Sequence, residues 1–199
     1  MKVEIENVLA SLHEALPGAG ICLCKNPGPS GQHSLLVASA GLLDVVRFLR
    51  NTLDFDFLSN VTGVDWLDPA KANAVAIPSE GQGIHDEGGF LEVLYHLYST
   101  RRREGPLVLR ARTVDREKQI EIPSVVSVFR SAEFQEREIF DLYGIQFTGH
   151  PDLRRILMWD EFVDYPMRKD YVAPDDYEYE PTPHDAVLER AKQHYPTPQ

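Results

Sequence analysis

FLEVLYHLYSTRRREGPLVLRARTV, residues 90–114, is the stretch on which the fold turns. It holds two alternating runs around an exposed hairpin loop, STRRREGP at 99–106. In the first run, 90–98, Leu91, Val93, Tyr95 and Leu97 share one face, because successive strand residues point to opposite sides. The second run, 107–114, alternates around Arg110 and Arg112. Two such runs joined by a turn predict neighbouring antiparallel strands with one face against a core.

Upstream the period changes. Ile5, Val8, Leu9, Leu12 and Leu16 recur at helical spacing, and Pro17-Gly18 ends that helix. Residues 21–25 and 35–38 read as short strands, and the turn residues 26–31 between them predict a hairpin. A second helix is expected over 41–53, with Leu42, Val45, Val46 and Leu49 on one face. Residues 57–67 read as a strand, with Gly63 at a bulge. The stretch 68–89, rich in Gly, Pro, Ala and acids, reads as a long connecting loop with few packing demands.

Downstream the chain is expected to turn helical from Ile122, with Pro123 at the start of a short helical segment. Ser131 can cap a further helix that Gly144 stops. The last forty residues hold five of the eight tyrosines and six of the fourteen prolines, with acids interspersed. Such a segment builds no core and is expected to run extended over a surface. The order of elements predicts an α+β fold: a two-layer sandwich with helices packed on a largely antiparallel sheet, plus an extended C-terminal tail. Residues 1–158 are the expected core domain and 159–199 the expected tail.

A chain of 199 residues can bury such a core without staples. Its formal net charge of -11 argues against a nucleic-acid binder, which needs a basic face. The N-terminus, MKVEIENVLASLHEALPG, carries acids where a signal peptide wants a basic start and an apolar run. No stretch approaches the ~18 consecutive apolar residues of a membrane span. The expectation is a cytosolic protein, or one held at a membrane only through partners. Cys22 and Cys24 share one face of their strand, but a zinc site or iron–sulfur cluster takes about four ligands. They read as small apolar residues in a reduced compartment.

Chemistry finds little support in the side chains. His13, His33, His85, His96, His150, His184 and His194 are scattered, without the HExxH or i, i+4 spacing of a metal site. His96 reads as a surface or packing residue, and His150, before Pro151, as a hydrogen-bonding turn residue. Pro17-Gly18-Ala19-Gly20 lacks the third glycine of a dinucleotide loop and runs helix–turn–strand, the reverse of what a pyrophosphate site needs. There is no GxxxxGK[ST] and no GxSxG elbow. Glu136 and Glu138, two apart on a helix, diverge by ~200° and cannot face each other as acid and base. No catalytic, cofactor-binding or metal-binding residue is expected. Glu133, Arg137 and Asp141, at i, i+4 and i+8, can form a salt-bridged stripe on a solvated face. Arg154-Arg155 and Arg168-Lys169 flank Ile156-Leu157-Met158-Trp159. On an acidic chain these suit a protein interface, where Arg and Trp act as anchors, with ordinary surface charge over a small core cluster as the alternative.

EREIFDLYGIQFTGHPDLRRILM at 136–158, followed by PMRKDY at 166–171, resembles the signature of the C subunit of the proton-translocating NADH:quinone oxidoreductase, respiratory complex I. VTGVD at 61–65, YHL at 95–97 and PSVV at 123–126 resemble the same family in order and spacing. Phe134 and Phe162 stand where the family often has Trp, and the stretch 68–89 is longer than usual. The resemblance implies a cofactor-free subunit of the peripheral arm, packed against the large subunit that helps form the quinone site. It implies that the C-terminal segment wraps that neighbour. FMN and iron–sulfur clusters would sit in partner subunits, and the complex would carry electrons from NADH to quinone, coupled to proton translocation. The chain itself would not be catalytic, and would lie at the cytoplasmic face of the inner membrane through the complex. The partner interface is expected from Glu136, Arg137, Glu138, Asp141, Tyr143, Gly144, His150, Pro151, Asp152, Arg154, Arg155, Trp159, Arg168, Lys169, Asp170 and Tyr171, with their charges satisfied in the assembly. Two other readings are the equivalent subunit of a membrane-bound [NiFe] hydrogenase, and a free-standing small enzyme using His96 or His150 with a nearby acid.

Overall fold

The alternating runs at 90–114 become adjacent antiparallel strands inside a five-stranded sheet. The computed structural model describes residues 3–68 and 89–172. All but the two ends of the expected loop 68–89, and most of the expected tail, therefore lie outside the described residues. The elements are α1 (Ile5–Ala15), β1 (Ile21–Cys24), β2 (Ser34–Val37), a 3-10 turn (Ser39–Gly41), α2 (Leu42–Asn51), β3 (Phe57–Trp66), β4 (Phe90–Ser99), β5 (Glu104–Arg112), β6 (Glu121–Pro123), α3 (Ala132–Tyr143) and β7 (Gln146–Thr148). The sheet order is β1-β2-β5-β4-β3. Within this sheet β2 and β5 run parallel, and the other described pairs are antiparallel. Strands β6 and β7 form a separate parallel pair.

The three helices of the described residues bury apolar residues in one cluster with one face of the sheet. Leu12 of α1, Leu42, Val45, Val46 and Leu49 of α2, and Ile139 of α3 join Leu35, Val37, Leu91, Val93, Tyr95, Leu97 and Leu109. The fold is thus α+β in two layers, with helices on a mostly antiparallel sheet. On the opposite face Cys22, Cys24 and Leu36 form a small separate cluster, and both cysteines are free.

Local details differ from the sequence reading. The register of β3 slips between Leu58 and Asn60, not at Gly63. Gly63 instead lets α3 approach: a Cβ there would lie 2.7 Å from the Tyr143 ring. Pro123 ends β6 rather than opening a helix, and Ile122 pairs with Phe147. Ser131 precedes α3 but makes no cap; its hydroxyl donates to Leu58 O at 3.0 Å and ties the helix start to β3. Gly144 does end α3, at φ 83, with its N–H on Phe140 O. Residues Met1–Lys169 form one compact unit and Asp170–Gln199 a second. Residues 159–169 therefore go with the first unit rather than with a tail starting at 159. Of the second unit only 170–172 are described. No helix among the described residues is long and apolar enough to cross a membrane.

Candidate functional site

Helix α3 carries three charged residues that the fold buries: Glu136, Arg137 and Asp141. A buried charge is costly unless it is paired and hydrogen-bonded. Arg137 and Asp141 meet that demand by holding the segment that follows, and Glu136 turns to the residues before the helix.

Asp141 has no exposed surface. Its Oδ2 accepts the backbone N–H groups of Ile156, Leu157 and Met158 at 2.9, 2.6 and 2.9 Å, and its Oδ1 accepts from Arg155 at 2.7 Å. Burial alone would raise this carboxyl; the three N–H groups and the guanidinium outweigh it and hold the carboxyl below its ordinary value. Arg137 donates to Arg154 O and Arg155 O, each at 3.2 Å, and lies over the Phe134 ring. Arg155 reaches Asp164 O and lies over Phe162 and Tyr165. Further on, Met167 N–H donates to Leu142 O, Arg168 Nε to Tyr143 O, and Lys169 N–H to Asp65 Oδ2. The segment from His150 to Lys169 is thus a strap bound along α3 and to the end of β3.

His150 opens the strap. Its Nδ1 accepts from Asp152 N–H at 3.0 Å, which assigns the ring proton to Nε2, 3.0 Å from Glu133 O. Glu136 points the other way, into the core. It accepts from the Ser124 hydroxyl at 2.6 Å and Val125 N–H at 2.8 Å, with no cation paired to it among the described residues. Burial outweighs these two bonds and pushes its carboxyl up to about 7. The nearby Tyr95 hydroxyl is fully buried without a hydrogen-bond partner among the described residues, and burial followed by the Glu136 charge pushes its pKa well above the ordinary value.

These positions correct the sequence reading in two ways. Glu133, Arg137 and Asp141 do not form a solvated stripe, because Arg137 and Asp141 turn inward to the strap. The charges of Arg137, Asp141, Arg155 and Arg168 are met within the chain, not only in an assembly, whereas Glu136 is pushed toward its neutral form. Glu136, Arg137, Asp141 and Gly144 present almost no surface to a partner. Tyr143, His150, Arg155 and Arg168 are half-buried. Exposed are Glu138, Pro151, Asp152, Arg154, Trp159 and Lys169. Asp170, exposed, and Tyr171, half-buried, begin the second unit.

The strap exposes more apolar side chains than the short run at 156–159 suggested. Ile156, Leu157, Val163 and Met167 are 38%, 57%, 83% and 53% exposed, and Phe134 of α3 is 60% exposed. Sequence reasoning also missed Asp65, which binds Arg116 at 2.7 Å and Lys169 N–H. An acid at an inward position of a strand was the available signal. Among the described residues no group of three His, Cys, Asp or Glu could hold a metal ion. Neither His150 nor His96 is hydrogen-bonded to a carboxylate there; His96 is half-buried, and burial lowers its pKa.

The sequence profile described as "Respiratory-chain NADH dehydrogenase, 30 Kd subunit" matches residues 35–177, which include α3 and the whole strap. The chain belongs to this family. Among its relatives, the NADH-quinone oxidoreductase C subunit of Geobacter sulfurreducens is 37% identical over 141 residues, covering 71% of this chain and 75% of that protein. The C subunit of Burkholderia mallei is 37% identical over 174 residues, covering 86% and 78%. A combined C/D subunit of Phocaeicola vulgatus is 44% identical over 123 residues, or 62% of this chain; the chain spans only 20% of that protein. Among solved structures, the trypsin-resistant fragment (1-134) of Nqo5 matches with a TM-score of 0.50 at 25% identity, over 76% of this chain and all of the fragment. A chain of an archaeal membrane-bound sulfane sulfur reductase shares the fold, with a TM-score of 0.59 at 19% identity over 97% of this chain and 92% of its own length.

Proposed function

We propose that this chain is a structural, cofactor-free subunit in the peripheral arm of an NADH-quinone oxidoreductase, docked through the exposed side of the strap. Its main partner is the large subunit that helps form the quinone site. The assembly passes electrons from NADH through FMN and iron–sulfur clusters of other subunits to quinone, coupled to proton translocation. It lies at the cytoplasmic face of the inner membrane, and this chain reaches the membrane only through it. Family membership supports the class of complex. The C/D relatives, in which the matching part is about a fifth of a longer chain, support a D-type neighbour. The matches to NADH-quinone oxidoreductase subunits favour this reading over the hydrogenase one.

The observation that carries the proposal is a row of exposed apolar side chains on a backbone already held by Asp141. Exposed apolar patches mark interaction sites, and a pre-ordered segment loses little conformational entropy on docking. Ile156, Leu157, Trp159, Val163 and Met167 are contact residues; Asp141, Arg137 and Arg155 position them.

The test is Leu157→Glu combined with Trp159→Ser, expressed in cells lacking the native chain. Incorporation into the membrane complex, read on native gels, should fall at least tenfold, and NADH-dependent quinone reduction with it. The melting temperature of the purified chain should stay within a few degrees of wild type. Normal assembly of this variant would refute the docking role. Turnover by the purified wild-type chain alone, lost in His96→Ala or His150→Ala, would support the free-standing enzyme instead.

A further inference from the structure

The sheet face away from the helices holds a charge cluster that the strap does not use. Glu92 has no exposed surface, and its two oxygens take four donors. Arg110 gives Nε at 2.9 Å and one Nη at 2.6 Å, Arg112 gives Nε at 2.9 Å, and the Trp66 indole N–H lies at 2.9 Å. Two guanidiniums therefore share one carboxylate, which leaves a net positive charge on a chain whose total is -11. Arg112 is packed over the Phe90 ring, with its centre 4.5 Å from the ring centroid. Arg110 is 3% exposed, and its second Nη has no hydrogen-bond partner among the described residues.

A cavity of about 230 Å³ opens beside Arg110. Its polar lining includes Asn26, Gln32, Ser34 and His96 beside the Glu92–Arg110 pair, and Val64, Leu94 and Val108 are apolar. The volume lies below the roughly 300–1,000 Å³ usual for small-molecule pockets. It suits one side chain with an apolar stem and an anionic head. A guanidinium edge with its other donors already occupied is a directional carboxylate receptor.

We propose that this cavity receives a carboxylate presented by a partner polypeptide, with the free edge of the Arg110 guanidinium as its anchor. Glu92 holds that guanidinium in place through two bonds, and Arg112 shares the same carboxylate. Gln32, exposed at the rim, is where the incoming acid passes. The proposal rests on the reading of the chain as an assembly subunit, but uses the face of the sheet opposite the helices.

Two variants at the rim test it without touching the buried cluster. Gln32→Glu supplies the carboxylate from within: the purified full chain should melt a few degrees higher, while incorporation into the complex falls about five- to tenfold. Gln32→Lys should melt slightly lower than wild type. A photo-cross-linking amino acid at Gln32, used in the assembled complex, should label a peptide of another subunit with an Asp, Glu or chain end at the attachment point. Stability and assembly moving together in Gln32→Glu would overturn the proposal, as would cross-links confined to this chain or to peptides without an acid. Stabilisation of the purified chain by glutarate at concentrations where acetamide does nothing would support the carboxylate chemistry; equal effects of both would count against it. If the Leu157/Trp159 variant fails to assemble while Gln32→Glu assembles normally, the strap reading stands and this one falls.

Discussion

Asp141 and Glu136 lie five residues apart on one helix, both without exposed surface, and the fold drives their carboxyls in opposite directions. Asp141 faces a strap that offers three backbone N–H groups and a guanidinium. Glu136 faces the core, where one hydroxyl and one N–H do not offset burial. Desolvation is common to both; what separates them is how many donors a distant part of the chain delivers. Asp141 is therefore a permanent anion that organises the strap. Glu136 is a group near neutrality that joins α3 to residues 124–125.

The sharpest way to break this contrast is Asp141→Ala. It strands three N–H groups and the Arg155 charge, and removing one partner of a buried ion pair costs about 3–5 kcal/mol. The loss is read by chemical denaturation, together with rapid trypsin cleavage after Arg154 or Arg155. A loss under ~1 kcal/mol with an intact strap would mean that Asp141 is not its anchor.

Glu136 should show the opposite sensitivity. Its folded-state pKa, about 7, stands above the ordinary 4.5, so between these values the folded chain holds a proton that the unfolded chain has released. Stability contributed by the neutral form is complete below about pH 4.5 and is lost as pH rises through 7. The loss is at most about 3 kcal/mol, from ~1.4 kcal/mol per pKa unit. Glu136→Gln, which stays neutral, should flatten the difference and melt higher than wild type at pH 8. Parallel stability-versus-pH curves for the two proteins would show that Glu136 titrates normally.

The smallest effect belongs to Tyr95→Phe. Removing a buried hydroxyl that has no partner should raise stability by up to ~1 kcal/mol at pH 8. No carboxylate oxygen lies within hydrogen-bond reach of that hydroxyl, so the gain should be the same at pH 6. A gain that shrinks at low pH would show that the two side chains are coupled.

Legibility followed the range of the interaction. The faces of β4 and β5 could be read because alternation is a property of adjacent residues, and the end of α3 because Gly144 adopts a positive φ there. Strand β6 was misread as the start of a helix: Pro123 is compatible with either, and the deciding partner, Thr148, is far along the chain. Ser131 fits a cap by type, yet its hydroxyl goes to Leu58 O on another strand. At the candidate site the motif was visible, and so were its aromatic and basic anchors. Which of its charges face inward was not, because helical spacing places Arg137 and Asp141 on one side without saying what covers that side.

By itself, then, the sequence determined the layers, the family and the segment that matters, since periodicity and motif are written in neighbouring residues. Only the tertiary structure decided the parallel β2–β5 pairing, the inward turn of Asp141 and Arg137, and the surplus positive charge around Glu92. Each of these depends on desolvation and on donors supplied across long stretches of chain, and so emerges only once the chain has closed on itself.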